Sequence, residues 1–562
     1  MVRRIINLFK REVSSLHEAA ILLGLSSLAS QFLGLIRDRL LAGTLGTGTE
    51  LDIYYGSFRL PDLIYATIAS FVSVTILIPL LSQKISENNL LAAQKLISAV
   101  FSVFMVVMII VSMVAFFVIP FVAPFLTPGF SAEALDKLVL LSRILLLSPF
   151  LLGLSNLFGS VTQTYRKFLL YSLCPAFYNL GIITGIIWLY PRWGLAGIVW
   201  GVILGALFHL LAQLPAILEY GFWPTFSFHS IKNNFKEIKK VIFISLPRTI
   251  TLSANQLALM VVVALASVLG KGAISIFNLS YNLQSVPLAI IGVSYSVAAF
   301  PTLTNLFTKG RMVEFLTKIR EASQHIIFWS LPAMVLFIVL RAQIVRVILG
   351  SGEFDWTATR LTAACLAIFT ISIVAQNLMQ LLVRAYYAGG RTQKPLWVNL
   401  FSYLVVIFLA YGLSRFYALS ASFQQLIGNL FRVQGLEGAS VLMLPLAFSL
   451  GSILNVVLLL VLFKKDFGFN LSPLLKTFGR TALSALLGGV VTYQLLNLLN
   501  YFFDLNTFVG IFAQGFLAGL GGLISILVVL WFLRSQELSL LIFSLRRKFW
   551  KVEVVRPEPE EL

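Results

Sequence analysis

Long apolar stretches recur along this chain, and they constrain its fold more than any other feature. Each is close to the roughly 20 residues that a helix needs to cross a bilayer, and we count about fourteen of them. Hydrophobic residues make up 58% of the 562 positions and charged residues only 12%, whereas a soluble protein carries roughly 25% charged residues. The sequence therefore predicts an all-α polytopic membrane protein. The predicted spans lie near 18–40, 61–83, 97–120, 138–160, 168–190, 194–217, 241–265, 274–303, 322–345, 362–386, 395–413, 438–463, 479–500 and 508–533.

The basic charge of the chain follows the predicted topology. There are 42 Lys and Arg residues against 23 Asp and Glu residues, for a net charge of +19. If the N-terminus is cytoplasmic, 28 of the 42 basic residues fall in inner segments and nine in outer segments. This bias fits the positive-inside rule, and an even number of spans returns the C-terminus to the cytoplasm. The charge thus indicates how the chain is oriented in the membrane, and we expect no nucleic-acid partner.

Hydropathy and loop composition divide the chain into six segments. The predicted segments are a cytoplasmic amphipathic N-terminus at 1–17, an N-lobe of six spans at 18–220, a cytoplasmic linker at 221–240, a C-lobe of six spans at 241–465, two extra spans at 466–535, and a cytoplasmic tail at 536–562. In the linker, Lys232, Lys236 and Lys240 lie at helical spacing. This spacing is typical of a short amphipathic helix on the membrane surface, and it is equally compatible with a solvated basic loop. The Pro/Glu-rich residues at 552–562 predict disorder.

A weak internal repeat relates the two predicted lobes. Pro175-x-x-x-Asn179 follows a basic cytoplasmic turn in the first half, and Pro395-x-x-x-Asn399 follows another in the second half. Two related lobes that face each other are what a repeat-built transporter needs, because rocking of the lobes alternates access to a central cavity. The repeat therefore predicts two pseudo-symmetric six-helix lobes around a central cavity.

Polar residues lie on single faces of several predicted spans. Ionisable groups inside a membrane cost several kcal/mol unless they face a cavity or a partner. Polar positions at three- and four-residue steps are found in the first, second, seventh, eighth and tenth spans. We interpret them as the lining of an aqueous, partly cationic cavity. The candidate substrate-binding residues are Gln31, Arg37, Asp38, Asp52, Arg59, Asp62, Arg248 and Asn282. In the alternative interpretation, Arg37, Arg39 and Arg59 extend to the outer interface and the amides hold helices together.

Arginines beside carboxylates predict an anionic cargo. A guanidinium group binds phosphate through a bidentate pair of hydrogen bonds, and nearby carboxylates orient it and respond to protons or cations. The sequence has no phosphate-binding GxxxxGK[ST] loop, which argues against ATP hydrolysis. Its four histidines lack metal-ligand spacing and its two cysteines form no CxxC pair. We therefore expect no metal, no cofactor and no catalytic residue.

Several motifs, in collinear order, resemble those of the lipid II flippases, the MurJ/MviN family. The quoted stretches are Ser30-Gln-Phe-Leu-Gly-Leu-Ile-Arg-Asp38, Leu45-Gly-Thr-Gly48, Phe58-Arg-Leu-Pro-Asp62, Thr127-Pro-Gly-Phe130, Ala299-Phe-Pro-Thr-Leu303, Gly352-Glu-Phe-Asp355, Arg384-Ala-Tyr-Tyr-Ala388 and Arg391-Thr-Gln-Lys-Pro395. The resemblance extends from about residue 20 to 465.

The resemblance implies a fold and an activity. The fold is that of the multidrug/oligosaccharidyl-lipid/polysaccharide exporters, with two lobes and two extra C-terminal helices whose groove, here near 479–533, holds a lipid tail. The activity is alternating access that carries an undecaprenyl-pyrophosphate-linked peptidoglycan precursor from the inner to the outer leaflet. Arg37, Asp38 and Asp52 match cavity positions of the family. The chain departs from the family at Gln31, Tyr65 and Asn282, where arginines are usual.

Three alternative functions remain open at this point. One is a flippase for another polyprenyl-linked saccharide, and the second is a drug or cation antiporter of the same superfamily. The third, from a different class, is a membrane-embedded glycosyl or phosphoglycosyl transferase. This last activity needs acidic metal ligands in an inner loop, whereas the acidic residues near the spans lie mostly toward the outer side.

Overall fold

The structure, a computed structural model, describes residues 16–69, 74–87, 89–165 and 167–549. These residues form helices joined by turns, with no strand among them. The predicted all-α class is therefore confirmed. Most of the predicted amphipathic N-terminus at 1–17, and the Pro/Glu-rich residues at 552–562, lie outside the described residues.

The helices of the first half run from the N-terminal span to the linker. In chain order they are α1 (Leu16–Leu45), α2 (Thr49–Ser57), α3 (Arg59–Ile64), a π-helix (Tyr65–Ala69), α4 (Val74–Ser86), α5 (Leu90–Leu126), α6 (Ala132–Leu145), α7 (Leu147–Thr164), α8 (Phe168–Thr184), a second π-helix (Gly185–Leu189), α9 (Tyr190–Trp193), α10 (Leu195–Leu211), α11 (Leu214–Glu219) and α12 (Phe228–Asn233).

The helices of the second half continue to the end of the described chain. They are α13 (Phe235–Val268), α14 (Ala273–Pro287), a third π-helix (Leu288–Val293), α15 (Ser294–Thr308), α16 (Met312–Val339), α17 (Arg341–Leu349), α18 (Trp356–Thr370), α19 (Ile373–Ala388), α20 (Gln393–Leu419), α21 (Ala421–Phe431), a 3₁₀ helix (Ala439–Leu442), α22 (Met443–Phe467), α23 (Ser472–Leu499), α24 (Phe508–Phe532) and α25 (Gln536–Phe549).

Many of these helices have the dimensions of membrane spans. Within the described residues, eleven helical segments are long and apolar enough to cross a membrane, and the pair α18 and α19 makes a twelfth if it counts as one span. The chain is therefore a multi-pass membrane protein. The predicted count of fourteen stays a prediction, because the predicted spans near 18–40 and 61–83 include residues outside the described set or residues whose side chains are not described.

Packing divides the chain into two compact units, each built from three stretches. The first unit comprises Met1–Val286, Val345–Ser372 and Gly390–Asn455, and the second comprises Pro287–Ile344, Ile373–Gly389 and Val456–Leu562. The first unit continues past the predicted lobe boundary at 220–241. The predicted lobes therefore stay a prediction.

Small residues bring α8 and α10 of the first unit into backbone contact. A Cβ atom at Gly181 would lie 2.2 Å from Gly205 Cα, and one at Gly185 would lie 2.6 Å from Gly201 Cα. Glycines at four-residue steps let two membrane helices approach this closely. The contact holds α8 in place, and α8 carries Tyr178 into the candidate site.

The two C-terminal spans of the second unit also pack through glycine. A Cβ atom at Gly488 of α23 would lie 2.2 Å from Ile526 Cγ1 of α24, and one at Gly489 would lie 2.5 Å from Val335 Cγ1 of α16. Helices α23 and α24 are therefore a packed pair against α16. A groove on this pair for a lipid tail stays a prediction.

The linker predicted at 221–240 is helical for much of its length. Helix α12 ends at Asn233, and α13 begins at Phe235 and continues without interruption to Val268. Lys236 therefore belongs to the first turns of a long membrane helix, where the linker prediction placed a separate surface segment. Residues 224–227 lie beside α5, because the backbone N–H groups of Thr225 and Ser227 donate to Ser98 Oγ (3.2 Å) and Ser102 Oγ (3.0 Å).

Candidate functional site

A polar cavity of about 380 Å³ lies inside the first unit. Its walls come from α1, α2, α3, α8, α13 and α14. Two guanidinium groups, one carboxylate, four tyrosines and four side-chain amides line it among apolar residues. The lining residues are Arg37, Leu41, Tyr54, Tyr55, Phe58, Arg59, Asp62, Tyr178, Ile182, Asn255, Gln256, Leu259, Phe277, Asn278, Tyr281 and Asn282. The volume falls in the range of small-ligand pockets.

Arg37 is held at the cavity wall by three hydrogen bonds. Its Nε and Nη2 donate to Asp38 Oδ1 at 3.0 and 2.7 Å, and its Nη1 donates to Asn179 Oδ1 at 3.0 Å. Asn179 Nδ2 in turn donates to the Ser30 carbonyl at 3.2 Å. Two of the five N–H donors of the guanidinium group remain for a ligand in the cavity. Arg37 is thus a pre-oriented cation.

Asp38 lies behind Arg37 and links α1 to α14. It is only 2% exposed, and its Oδ2 accepts a hydrogen bond from Asn282 Nδ2 at 3.1 Å. A charged group buried in this way needs partners on every polar atom. Asn282, one of the positions where the family usually has arginine, serves here as a partner of Asp38 and also lines the cavity.

Arg59 is the second cation of the cavity, and it is incompletely paired. It is 7% exposed, and its Nη2 donates to Asn278 Oδ1 at 2.5 Å. Its Nε is buried and has no hydrogen-bond partner among the described residues. A buried N–H group without a partner costs about 1–3 kcal/mol, so the position favours occupation by an acceptor.

Asp62 lines the same cavity as Arg59 but does not form an ion pair with it. Between the described residues, no contact of 4.0 Å or less joins the Asp62 carboxylate to the Arg59 guanidinium. Arg59 and Asp62, which are three residues apart, therefore form no local ion pair in this conformation. Asp62 is an anion at the cavity wall beside a cation, in a position to respond to protons or to a cationic ligand.

Asp52 lies outside the lining of the cavity and binds the start of a helix. It is 2% exposed, and its two carboxylate oxygens accept from Gly272 N and Ser275 N, each at 2.7 Å. These N–H groups belong to the N-terminus of α14, where backbone donors have no partner within the helix. Seven residues separate Asp52 from Arg59, which is roughly two helical turns or 10 Å along the helix axis. Asp52 therefore reaches the start of α14, whereas Arg59 lines the cavity.

Replacing Asp52 by alanine is expected to destabilise the fold. The substitution leaves two buried N–H groups unsatisfied, each at a cost of about 1–3 kcal/mol. Asp52→Asn should lose less, since its amide oxygen still accepts one of the bonds. Thermal unfolding in detergent measures both, with Glu50→Ala, an exposed acidic residue of the same helix, as the matched control. A melting temperature of Asp52→Ala equal to that of the control would contradict this role.

Two further predicted site residues lie away from the cavity lining. Gln31 is half-buried on α1, six residues before Arg37, and Arg248 is exposed on α13. Arg248 lies close enough to Tyr65 and Tyr171 to interact with them electrostatically. Tyr65 accepts a hydrogen bond from Asn156 Nδ2 at 3.1 Å. The structure therefore brings Arg37, Asp38, Arg59, Asp62 and Asn282 together, and it leaves Gln31, Asp52 and Arg248 apart from that group.

Polar residues of α19 hold together helices of the second unit. Asn377 Nδ2 donates to Ser330 Oγ at 2.7 Å, and Arg384 Nη1 donates to Ser296 Oγ at 2.7 Å. These bonds fit the interpretation of intramembrane polar groups as links between helices. Arg39 of the first unit has a similar part, because its Nη1 donates to the carbonyl of Val347 at 2.6 Å.

Three of the four tyrosines that line the cavity are the part of the site that the sequence did not indicate. Tyr54, Tyr178 and Tyr281 line the cavity, yet in an aromatic-rich membrane protein they are indistinguishable from packing residues. Asn179 was visible in the sequence only through its place in the repeat. Its counterpart Asn399 also bonds between helices, since it accepts from Asn455 Nδ2 at 2.9 Å.

The fold and this cavity define the class of protein. A multidrug resistance MATE family transporter of the MOP superfamily, in an inward-facing conformation, matches the structure with a TM-score of 0.63 at 13% identity, covering 78% of this chain and 94% of that chain. A lipid II flippase MurJ in an inward closed conformation matches with a TM-score of 0.72 at 23% identity, covering 91% and 99%. The chain therefore has the fold of the MOP-superfamily transporters.

The family model described as "Lipid II flippase MurJ" matches residues 41–514, and the chain belongs to that family. The resemblance stated from the motifs is thus confirmed. A probable lipid II flippase MurJ of Bdellovibrio bacteriovorus is 26% identical over 502 residues, 87% of this chain and 90% of the relative. One from Rhizobium tropici is 26% identical over 396 residues, 68% and 72% of the two chains. The lipid II flippase MurJ of Burkholderia cenocepacia is 23% identical over 374 residues, 66% and 72%.

Proposed function

We propose that this protein carries lipid II from the inner to the outer leaflet of the bacterial inner membrane by alternating access, as a transporter without a catalytic step. The observation that carries the proposal is the pair of guanidinium groups, Arg37 and Arg59, in the wall of one cavity. Lipid II combines a pyrophosphate, a sugar and peptide headgroup, and a polyprenyl tail. The cavity offers charge for the first and hydrogen-bonding side chains for the second.

The pyrophosphate is assigned to the two arginines. Arg37 is oriented by Asp38 and Asn179 and keeps two donors for a ligand, and Arg59 has a buried Nε that needs an acceptor. Phosphate oxygens accept from guanidinium groups through short, charge-assisted bonds. The cavity amides, such as Asn255 and Gln256, suit the hydroxyl and amide groups of a glycopeptide.

We assign to Asp62 the role of coupling ion binding to the conformational cycle. Its carboxylate lies at the cavity wall near Arg59 and has no hydrogen-bond partner within the described chain. Binding of a proton or a cation there removes the attraction between this carboxylate and the guanidinium group. Arg59 is then free to bind the cargo, so binding of the driving ion at Asp62 promotes binding of the cargo at Arg59.

A flippase for another polyprenyl-linked saccharide is the second candidate, and one observation favours it. The family's usual arginines are replaced by Gln31, Tyr65 and Asn282, and in the structure Tyr65 and Asn282 take neutral hydrogen-bonding roles. A cavity with fewer cations suits a cargo with less negative charge than a pyrophosphate. The two candidates differ in the headgroup recognised and share the mechanism.

The proposed topology has both termini in the cytoplasm, an N-lobe at 18–220, a C-lobe at 241–465 and two extra spans at 466–535. Single-cysteine reporters at Asn233 and Lys465 are expected to react only with reagents that reach the cytoplasm. Reporters at Ser131 and Ser351 are expected to react from outside, because the bias of 28 to nine basic residues fixes the orientation. Labelling of Ser131 from the cytoplasm alone would overturn both the orientation and the span count.

Growth of a strain depleted of its essential lipid II flippase tests the proposed function. Expression of this protein is expected to restore growth and normal cell shape, and Arg37→Ala, expressed at the same level in the membrane, is expected to fail. If this protein is well expressed yet supports no growth, while it does restore export of another polyprenyl-linked saccharide in a matching depletion strain, the second candidate replaces the first.

A further inference from the structure

We propose that an apolar pocket on the flank of the first unit holds an acyl chain of an anionic phospholipid, whose headgroup is bound by lysines at the start of α13. This site lies apart from the polar cavity and does not depend on the identity of the cargo. It also accounts for the basic linker, which the transport mechanism leaves without a role beyond topology.

The pocket is small and entirely apolar in its lining. Its volume is about 160 Å³, and its walls come from the first π-helix, from α5 and from α13. Ile68 forms one wall, Val103 and Phe104 another, and Ile238 and Ile242 the third. A space lined only by hydrocarbon offers no hydrogen bond to water, so an apolar ligand is its natural occupant.

The pocket continues onto the outer face of α5. Val107 and Ile242 at its mouth are each 38% exposed, whereas Phe104 inside is 2% exposed. Along α5 the strip continues through Ile110 and Val114, each 56% exposed, which stand three and seven residues after Val107. Residues at this spacing share one helical face. A chain that enters the pocket therefore has a continuous apolar track along the helix.

Positive charge stands where the headgroup of such a lipid would lie. Lys239 is exposed three residues before Ile242, and its Nζ lies 5.8 Å from the centroid of the Phe243 ring. Lys232 and Lys236 are exposed in the preceding turns. Since predicted topology puts this end of α13 in the cytoplasm, these lysines meet the inner leaflet, where each basic residue contributes about 1 kcal/mol of attraction to anionic lipid.

The acidic residue of this segment does not cancel that charge. Glu237 is paired with Lys84 of α4, with Oε1 2.8 Å from Nζ. Its negative charge is therefore balanced within the protein, and Lys232, Lys236 and Lys239 give the rim a net positive charge. Charge complementarity selects an anionic headgroup over a zwitterionic one.

Occupation of the pocket would support the segment that adjoins the cavity. The π-helix that contributes Ile68 also contributes Thr67, whose Oγ1 lies 2.9 Å from Ser253 Oγ of α13. π-Helices occur often at functional sites, and this one is fixed to α13 on one side of the pocket and packs near α5 on the other. A bound acyl chain fills the gap and holds the three segments together.

Native mass spectrometry of the full-length protein tests the site with two lipids, phosphatidylglycerol and phosphatidylcholine of identical acyl chains. The wild-type protein is expected to retain phosphatidylglycerol preferentially. Lys239→Gln should weaken that binding about fivefold, the equivalent of about 1 kcal/mol, and Val103→Phe, which fills the pocket, should weaken it at least as much. The matched controls are Lys309→Gln, an exposed lysine elsewhere, and Val461→Phe, an exposed valine of α22 that belongs neither to the pocket nor to its apolar track; both should bind like wild type.

Three outcomes would overturn the proposal. Equal retention of both lipids would show that the lysines do not select an anionic headgroup. Unchanged binding in Lys239→Gln and Val103→Phe would show that the lipid does not bind in this pocket. Displacement of phosphatidylglycerol by a polyprenyl phosphate at equimolar concentration would assign the pocket to a polyprenyl tail instead. Lys239→Gln keeps the test valid if Val103→Phe fails to fold, because the lysine is exposed.

Discussion

Arg37→Ala is expected to abolish transport while leaving the protein folded and inserted. The alanine variant loses the guanidinium group that lines the cavity and leaves Asp38 with Asn282 as its remaining side-chain partner. Loss of a charge-assisted hydrogen bond costs about 1.5–3 kcal/mol, which corresponds to a tenfold to hundredfold loss of cargo affinity for each bond. Transport of lipid II across the bilayer of proteoliposomes measures the effect.

Two further variants make that result specific to the cavity. Arg37→Lys should recover transport only in part, since an ammonium group keeps the charge but lacks the bidentate geometry. Arg143→Ala, at a half-buried arginine whose Nε donates to the Phe116 carbonyl and which is not part of the cavity lining, should transport like wild type. Full activity of Arg37→Ala at equal reconstitution would exclude Arg37 from the cargo site.

Arg59→Ala is expected to have the second large effect, and its rescue should be selective. The variant leaves the cavity with Arg37 as its one lining cation and Asp62 as an unopposed anion. Adding an arginine back through Asn282→Arg should restore part of the transport, because Asn282 lines the same cavity and stands at a position where the family usually has arginine. Asp62→Asn should not restore it, since no ion pair between Arg59 and Asp62 holds the structure together.

The same proteoliposome transport assay separates the two explanations. Rescue of Arg59→Ala by Asp62→Asn but not by Asn282→Arg would mean that Arg59 balances a buried carboxylate, and that it does not replace a missing cargo-binding arginine. Thermal unfolding of each double variant shows whether a lost signal reflects misfolding. We expect the melting temperature of Arg59→Ala to fall little, because among the described residues the Arg59 side chain makes one hydrogen bond, to Asn278.

Hydropathy predicted the helical class because a membrane leaves few alternatives. Backbone groups in hydrocarbon must be paired internally, so long apolar stretches become helices. The linker at 221–240 stays a prediction; within it, 235–240 is polar in sequence and forms the first turns of α13. The polar residues there indicate where the chain reaches the membrane surface. They do not indicate where the helix begins or ends.

The candidate site was predictable only in part, and for a physical reason. Helical spacing correctly grouped Arg59 with Asp62, which both line the cavity, but it also grouped them with Asp52. The helix is interrupted at Phe58, and Asp52 bonds to the start of α14 through Gly272 and Ser275. The helix N-terminus that Asp52 binds is 220 residues away in sequence, so no residue near Asp52 indicates it. Residue spacing within one segment therefore cannot distinguish a side chain that caps a helix from one that binds a ligand.

The tyrosines illustrate the other limit. Tyr54 and Tyr178 lie on different helices and meet at the cavity through tertiary packing. Hydropathy does not mark either position as polar. In the sequence, neither tyrosine can be distinguished from one that only packs in the protein interior. Glycine contacts between α8 and α10, such as Gly181 against Gly205, set the depth of Tyr178, and this too is a tertiary effect.

The most direct test of the central claim is the amount of lipid II exposed on the outer leaflet. Cells depleted of their own lipid II flippase are supplied with this protein, and an enzyme added from outside cleaves only the lipid II that it reaches. We expect the cleaved fraction to return to the level of undepleted cells with the wild-type protein and to stay at the depleted level with Arg37→Ala. An unchanged cleaved fraction with the wild-type protein, in membranes that contain it at normal abundance, would contradict the account.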